Sequence, residues 1–186
     1  QGGGPTAVIN ASLAGAALEA IDRLDTSSQI WGARGGIQGF LQEDFVDLRA
    51  PSRATWDEIR LAPAAALGSC RKKLNAEDLA RAVEICRRRE IRYFFYIGGN
   101  DSMDTAHKMA TIARDAGYEM WAAGIPKTID NDLPETDFCP GYGSCARFIA
   151  QATIDLGMDI RALPTPVAIM EVMGRNAGWI AAASLL

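Results

Sequence analysis

Two patterns of apolar residues alternate along the chain: a helical spacing of three to four residues, and short continuous runs of the kind found in buried strands. Leu13, Ala17 and Ile21 follow a helical period, whereas the aromatic run at 93–96 is typical of a central parallel strand. The predicted helices cover 7–24, 76–89, 103–116 and 145–156, and a further helix is predicted to start near Asn176. Asn75 is the predicted N-cap of the second helix. The predicted strands cover 29–33, 91–97, 118–124 and 167–172. Because strands and helices alternate, the pattern predicts an α/β fold with a doubly wound, mostly parallel sheet.

Two features of the pattern concern domain organisation. A break at Pro140–Gly143 predicts a domain boundary near residues 138–142, so that the first domain covers 1–140 and the second covers 141–186. No strand pattern precedes the opening glycines, the chain has no initiator methionine, and it ends inside an apolar stretch, 181–186. We therefore expect the first domain to lack its first strand and the second to be incomplete.

Composition narrows the possible functions. The 186 residues are 48% hydrophobic, which allows a substantial core and argues against disorder. The formal net charge of −4 and the scattered basic residues argue against nucleic acid as the main partner, and the basic run 87–89 is typical of a helix end. No apolar run reaches membrane-spanning length. The 4 cysteines lack metal-type pairing and are typical of free thiols, so we expect a cytoplasmic protein.

The densest group of chemically useful side chains follows the third predicted strand and consists of Lys127, Thr128, Asp130 and Asp132. It brings an ammonium, a hydroxyl and two carboxylates into a loop whose approach is stiffened by Pro126. One carboxylate can take a proton from an alcohol while its neighbour holds a cation or a second hydroxyl. The ammonium supplies positive charge for an anionic co-substrate. An acidic loop at a strand end is the alternative interpretation, because charged turns are common.

Glycine-containing segments elsewhere in the chain are typical of anion sites. Gly2–Gly4 opens onto a helix, and Gly98–Ser102 joins a strand to a helix, so helix-start amides can point at an anion. Leu67–Arg71 combines small residues, which allow close backbone approach, with a guanidinium that can bind phosphate. Taken singly, the opening glycines are also compatible with a tight turn, and Leu67–Arg71 is compatible with an ordinary turn that carries an exposed arginine. The segment 34–39 is predicted to be a loop.

The order and spacing of these segments resemble the phosphofructokinase family, and specifically its pyrophosphate-dependent branch. The resemblance runs through nearly the whole chain and is carried by Gly2–Gly4, Leu67–Arg71, Gly98–Ser102, Pro126–Asp132 and Met173–Arg175. The run Thr-Ile-Asp-Asn-Asp in the fourth of these is a hallmark of the family. The resemblance implies a phosphofructokinase-like fold. It also implies reversible transfer of a phosphoryl group from pyrophosphate to the 1-hydroxyl of fructose 6-phosphate, giving fructose 1,6-bisphosphate in glycolysis.

The resemblance further implies a role for each matching residue. Asp130 would be the general base that takes the proton from the sugar 1-hydroxyl, Asp132 would help to position that hydroxyl or the metal, and Thr128 would contact the same hydroxyl region. The fructose 6-phosphate pocket would also include Met173, Gly174 and Arg175. The residues implied to bind the donor are Gly3, Gly4, Arg71, Gly99, Asp101, Ser102 and Lys127, and those implied to hold Mg²⁺ with the donor are Asn100 and Asp101.

Two positions indicate which donor is used. Members of the family that use ATP resemble Gly-Gly-Asp-Gly-Ser and Pro-Gly-Thr-Ile-Asp, whereas this chain has Asp101 and Lys127 in place of the variable glycines. The carboxylate would crowd and repel a nucleotide α-phosphate, and the ammonium would neutralise a compact donor. Both substitutions favour pyrophosphate. An ATP-dependent kinase of the same fold is one alternative, and a non-catalytic or regulatory subunit, motivated by Asn100 where most members have aspartate, is another. The resemblance also implies a homo-oligomer.

Overall fold

The computed structural model describes residues 1–174 and 176–185, and the chain forms two compact units, Gln1–Lys127 and Thr128–Leu186. The predicted boundary near residues 138–142 lies inside the second unit, so the division into 1–140 and 141–186 stays a prediction. None of the helices in the described residues is long and apolar enough to cross a membrane.

The described helices and strands alternate along the chain largely as predicted. They are α1 Ile9–Arg23, β1 Trp31–Ala33, α2 Gly36–Leu41, β2 Phe45–Asp47, α3 Arg53–Leu61, α4 Ala76–Arg88, β3 Tyr93–Gly98, α5 Asn100–Asp115, β4 Trp121–Pro126, α6 Tyr142–Ile160 and α7 Trp179–Ala182, followed by a 3₁₀ turn at Ala183–Leu185. The helix predicted over 145–156 extends in both directions as α6, and the one predicted near Asn176 starts at Trp179.

The central supersecondary unit is β3–α5–β4. β3 and β4 pair in parallel, from Tyr93 opposite Trp121 to Gly98 opposite Pro126, and α5 forms the crossover. The strand–helix–strand pattern and the parallel pairing confirm the predicted α/β class. β1 and β2 form a separate antiparallel pair. Because the carboxyl ends of β3 and β4 lie at the same edge, Lys127 lies beside the end of β3, where its amide donates to the Gly98 carbonyl at 2.9 Å.

Buried apolar residues of the first unit form two clusters. The larger one joins the helices α2, α4 and α5 to the inner face of β3, where Phe94 and Tyr96 are buried while Tyr93 and Phe95 are exposed. The second joins α1 to Trp56 of α3 and to Ile97. Each fully buried large apolar side chain contributes about 1.5–3 kcal/mol. These clusters hold β3, and therefore the segment at its carboxyl end, in a fixed position.

Helix α4 begins where its sequence predicts. The Asn75 side chain accepts a hydrogen bond from the Asp78 amide at 2.7 Å, and the Asp78 side chain accepts one from the Asn75 amide. This reciprocal pair satisfies amides that have no partner within the helix. The predicted N-cap is confirmed.

The prediction of a loop over 34–39 is wrong from residue 36 onward, because α2 starts at Gly36. Glycines disfavour a helix by local propensity. Here Ile37, Phe40 and Leu41 are buried in the larger cluster, and this tertiary packing outweighs the propensity. Only the first part of the segment, Arg34–Gly35, forms the predicted turn.

The strand predicted over 167–172 is not formed. Val167 and Ile169 are 79% and 95% exposed, and the segment has no strand pairing among the described residues. An apolar run becomes a strand only when a neighbouring backbone supplies hydrogen bonds and a packed face. The segment 167–172 therefore has the amino-acid composition of a strand, but it has no neighbouring strand to pair with among the described residues.

We expect Asn10→Ala to lower the free energy of unfolding by about 1–3 kcal/mol, because it leaves buried polar groups without partners. Asn10 is 1% exposed; its Nδ2 donates to the Ala62 carbonyl at 3.1 Å, and its Oδ1 accepts from the Ala66 amide at 2.8 Å. Denaturant unfolding of the full-length protein measures the change. Gln42→Ala, at an exposed site, is the control and should stay within about 0.5 kcal/mol of wild type. Equal free energies of unfolding in the two variants would contradict a stabilising role of the Asn10 hydrogen bonds.

Candidate functional site

The opening glycines are held between β3 and the segment before Arg71. The Gly2 amide donates to the Ile97 carbonyl at 2.8 Å, and the Gly3 amide donates to the Cys70 carbonyl at 3.0 Å. The Ser69 hydroxyl donates to the Gly3 carbonyl. Two of the predicted anion-binding segments, Gly2–Gly4 and Leu67–Arg71, are therefore joined by one backbone hydrogen bond and one hydrogen bond from a side chain.

Glycine is required at two of these positions for different reasons. A Cβ atom on Gly2 would lie 2.8 Å from the Ser102 hydroxyl and 2.9 Å from the Tyr96 ring, so there is no space for a side chain. Gly3 has a φ of +73°, in the left-handed region that favours glycine. The close approach brings the opening glycines against the first turn of α5, which contains Ser102.

Two cationic side chains flank the glycine loop. Lys127 is 3% exposed, and its Nζ donates to the Gly4 carbonyl at 2.7 Å. The same Nζ lies 3.4 Å from where a Cβ on Gly3 would stand, and Nη2 of Arg71 lies 3.3 Å from the corresponding position on Gly4. A buried ammonium and a guanidinium therefore converge on one short stretch of backbone, an arrangement suited to a compact anion.

The N-terminus of α5 adds to the positive character of this region. Gly99 is its N-cap and gives no side-chain cap, and the positive end of the dipole of this 16-residue helix lies at this terminus. Asn100 and Asp101 in that turn are exposed, and Asp101 forms an ion pair with Lys73 at 3.4 Å. Beneath them, Ser102 is buried next to Tyr96, and burial raises the pKa of that phenol to about 12, so it stays protonated at neutral pH.

The loop that contains Asp130 belongs to the second unit and has a defined backbone. Thr128 pairs with Gly141 in a parallel bridge, and its hydroxyl accepts a hydrogen bond from the Asp130 amide at 3.1 Å. Asn131 has a φ of 53°; its Nδ2 donates to the Asp137 carbonyl at 3.2 Å and its Oδ1 accepts from the Cys139 amide at 2.7 Å. The loop is therefore a folded turn that holds the carboxylates on either side of Asn131.

The structure brings predicted acceptor residues together in the second unit. A Cβ on Gly174, whose φ is +91°, would lie 3.9 Å from Oδ1 of Asp130, and that oxygen is shielded from solvent. Asp132 and Met173 are exposed, so they are accessible to a ligand. The Cys145 thiol lies near the same carboxylate: burial, and then the negative charge of Asp130, raise its pKa. The predicted pocket residue Arg175 lies outside the described residues.

The expected Mg²⁺ site requires oxygen ligands close to the bound phosphates. Among residues 1–174 and 176–185, no group of three or more His, Cys, Asp or Glu side chains forms a metal cage. Mg²⁺ commonly binds through one or two protein oxygens together with substrate phosphates and water. Asn100 and Asp101 supply oxygen donors of this kind in the first turn of α5. The donor set therefore fits a metal that arrives with its phosphate ligand.

The structure also identifies residues that sequence reasoning did not assign to the site. Lys73 pairs with Asp101, Asn131 holds the acidic loop, and Cys145 lies beside Asp130. A signal for the first was present, since three basic residues, Arg71 to Lys73, follow one another shortly after Gly68 and Ser69. The other two carry no local signal, because their roles depend on contacts formed by the folded loop.

Comparison with known proteins places this geometry in a family. The family profile described as phosphofructokinase matches residues 1–186. The chain is 45% identical to the pyrophosphate–fructose 6-phosphate 1-phosphotransferase of Halomonas elongata, over 100% of this chain and 46% of that protein. It is 44% identical to the protein of the same name from Methylococcus capsulatus, over 98% of this chain and 46% of that one. The chain thus spans about half the length of the curated relatives it matches.

A solved structure agrees with the sequence comparisons. The crystal structure of the pyrophosphate-dependent phosphofructokinase from Marinobacter aquaeolei matches with a TM-score of 0.87 and 44% identity, over 98% of this chain and 47% of that one. The predicted phosphofructokinase-like fold is therefore confirmed. From the profile match over the full chain and the identity to these relatives, the chain belongs to the phosphofructokinase family.

Proposed function

We propose that the protein transfers a phosphoryl group from pyrophosphate to the 1-hydroxyl of fructose 6-phosphate, reversibly, giving fructose 1,6-bisphosphate. The observation that carries the proposal is the buried Lys127 ammonium against Gly4, with Arg71 beside it. This pair of cations suits a small, highly charged donor without a nucleoside. The names of the relatives from Halomonas elongata and Methylococcus capsulatus support the same donor and acceptor.

On the donor side, the opening glycines and the start of α5 bind the pyrophosphate. The Gly3 and Gly4 backbone admits the phosphate groups closely, and Lys127 and Arg71 neutralise their charge. Gly99 and Ser102 belong to the α5 terminus, where first-turn amides favour anions. Asp101 occupies space that a nucleotide would need and repels an α-phosphate. Phosphoryl transfer depends mainly on such positioning and charge neutralisation.

On the acceptor side, Asp130 is the general base for the sugar hydroxyl. The Thr128 hydroxyl accepts from the Asp130 amide, which fixes the backbone that presents this carboxylate. Asp132 helps to position the hydroxyl, and Met173, Gly174 and Arg175 line the fructose 6-phosphate pocket. The approach of Gly174 to Asp130 supports this grouping. A positioned base contributes roughly 10²–10⁴-fold to the rate.

Mg²⁺ accompanies the donor in this proposal. Asn100 and Asp101 would hold it together with the phosphates, and the ion would neutralise charge on the transferring group. An amide ligand contributes no charge, so we expect a weaker metal affinity than two carboxylates would give. The donor-binding domain is proposed to cover residues 1–140 and the sugar-phosphate domain to start at 141. The cytoplasmic location and the homo-oligomer stay predictions.

A coupled assay on the full-length protein tests the function. Fructose 1,6-bisphosphate formation is measured with pyrophosphate and with ATP, each at several Mg²⁺ concentrations. We expect turnover with pyrophosphate, dependent on the metal, and little with ATP. Turnover with ATP alone would overturn the donor assignment. Binding of fructose 6-phosphate by calorimetry without turnover on either donor would identify a non-catalytic subunit instead.

A further inference from the structure

Three consecutive cations after the Gly-Ser turn are directed to three different parts of the first unit. Nη2 of Arg71 lies beside Gly4, 3.3 Å from the position that a Cβ atom on that residue would occupy. Lys72 donates to Asp78, at the start of α4, at 2.9 Å. Lys73 pairs with Asp101, in the first turn of α5, at 3.4 Å. The segment 71–73 has no helix or strand of its own, so these contacts determine its course.

We propose that Lys73 is a positioning residue for the phosphoryl donor: it holds the Asp101 carboxylate at the start of α5 and offsets its charge. This inference rests on the proposed function, because it concerns the same donor site. Arg71, Lys73 and Lys127 supply three positive charges around the glycine loop and α5, and Asp101 supplies one negative charge. Without Lys73, the uncompensated carboxylate would repel pyrophosphate.

The arrangement reconciles two demands on Asp101. Its carboxylate excludes a nucleotide through its volume and charge, yet the same charge opposes binding of any anionic donor. An ammonium held against one carboxylate oxygen keeps the side chain in place and cancels most of its field at a distance. The contact is made by Oδ1, which leaves the second oxygen for a metal ion.

The expected size of the effect follows from the exposure of the pair. The two side chains are 80% and 74% exposed, so water and salt screen their interaction. Exposed ion pairs of this kind change an equilibrium by about two- to fivefold. We therefore expect Lys73→Ala to raise the KM for pyrophosphate about two- to fivefold at low ionic strength, with kcat and the KM for fructose 6-phosphate unchanged.

The test uses the full-length protein at saturating Mg²⁺, so that changes in metal affinity do not enter. Lys73→Arg should keep the wild-type KM because it keeps the pair. The matched control is Lys108→Ala, which removes the same charge from an ion pair with Asp104 on α5, at 2.6 Å, and should leave the KM for pyrophosphate unchanged. In an Asp101→Asn background, Lys73→Ala should have little further effect.

Two results would overturn the proposal. One is an equal KM for pyrophosphate in Lys73→Ala and Lys108→Ala. The other is an undiminished effect of Lys73→Ala in the Asp101→Asn background, which would mean that Lys73 acts by its own charge alone. If the wild-type protein does not turn over pyrophosphate, the proposed function fails, and the same variants are compared by calorimetric binding of Mg²⁺-pyrophosphate. Identical affinities across the series would then reject the role of Lys73 as well.

Discussion

Asp130→Asn is expected to lower kcat by about 10²–10⁴-fold, while the affinity for fructose 6-phosphate changes little. The amide has the volume of the carboxylate but cannot take the proton of the sugar hydroxyl. The backbone at this position is held by the hydrogen bond from the Asp130 amide to Thr128, which the substitution preserves. Initial rates give kcat, and calorimetry of the full-length protein gives the dissociation constant of the sugar phosphate.

Asp137→Asn is the matched control for this experiment. It makes the same chemical change in the same loop. The Asp137 side chain is exposed, and the hydrogen bond from Asn131 is accepted by the backbone carbonyl of Asp137, which the substitution keeps. Its kcat should equal that of the wild type. Normal turnover by Asp130→Asn would remove Asp130 from the role of base. Loss of sugar-phosphate binding together with turnover would assign it to substrate binding instead.

The double substitution Asp101→Gly with Lys127→Gly is expected to shift donor preference. The ratio of kcat/KM for ATP to that for pyrophosphate should rise on the order of 100-fold. Most of the change comes from the loss of the Lys127 ammonium, which is 3% exposed and adjoins the opening glycines. A buried charge that contacts a bound anion is costly to remove. The rest comes from the space and the reduced repulsion that Asp101→Gly provides.

The control for the donor experiment is Asp104→Gly with Lys108→Gly. This pair lies on α5 and loses the same two charges, with glycines inside the helix. It should lower thermal stability without changing the donor ratio, because glycine costs about 1 kcal/mol at an internal helix position. Unchanged pyrophosphate kinetics and no gain with ATP in the Asp101/Lys127 variant would count against the donor assignment.

Local sequence signals predicted those parts of the fold that depend on neighbouring residues. Asn75 caps α4, and an N-cap of this kind is recognisable from residue type and position alone. The aromatic run at β3 likewise predicted a strand of nearly the observed length. The errors occurred where distant contacts decide. α2 forms because Phe40 packs into a core built from other elements, and 167–172 forms no strand because no described backbone pairs with it.

The candidate site follows the same division. The glycine segments and the acidic loop could be predicted because each has a characteristic order of residue types. The contact between the opening glycines and the segment 67–71 could not be predicted, since the hydrogen bond from Gly3 to Cys70 joins residues far apart in the chain. The ion pair between Lys73 and Asp101 is of the same kind. The order of residue types was therefore enough to propose site residues, whereas the ion pair between Lys73 and Asp101 is seen only in the folded structure.

The left-handed backbone conformation at Asn131 limits which amino acids this position of the acidic loop can accept. Glycine would accept the φ of 53° but would lose both side-chain hydrogen bonds, and aspartate would keep only the acceptor for Cys139. β-branched residues would be strained in that conformation. In a codon-randomised library selected for turnover, this position should return asparagine almost alone, although its side chain takes part in no step of the chemistry.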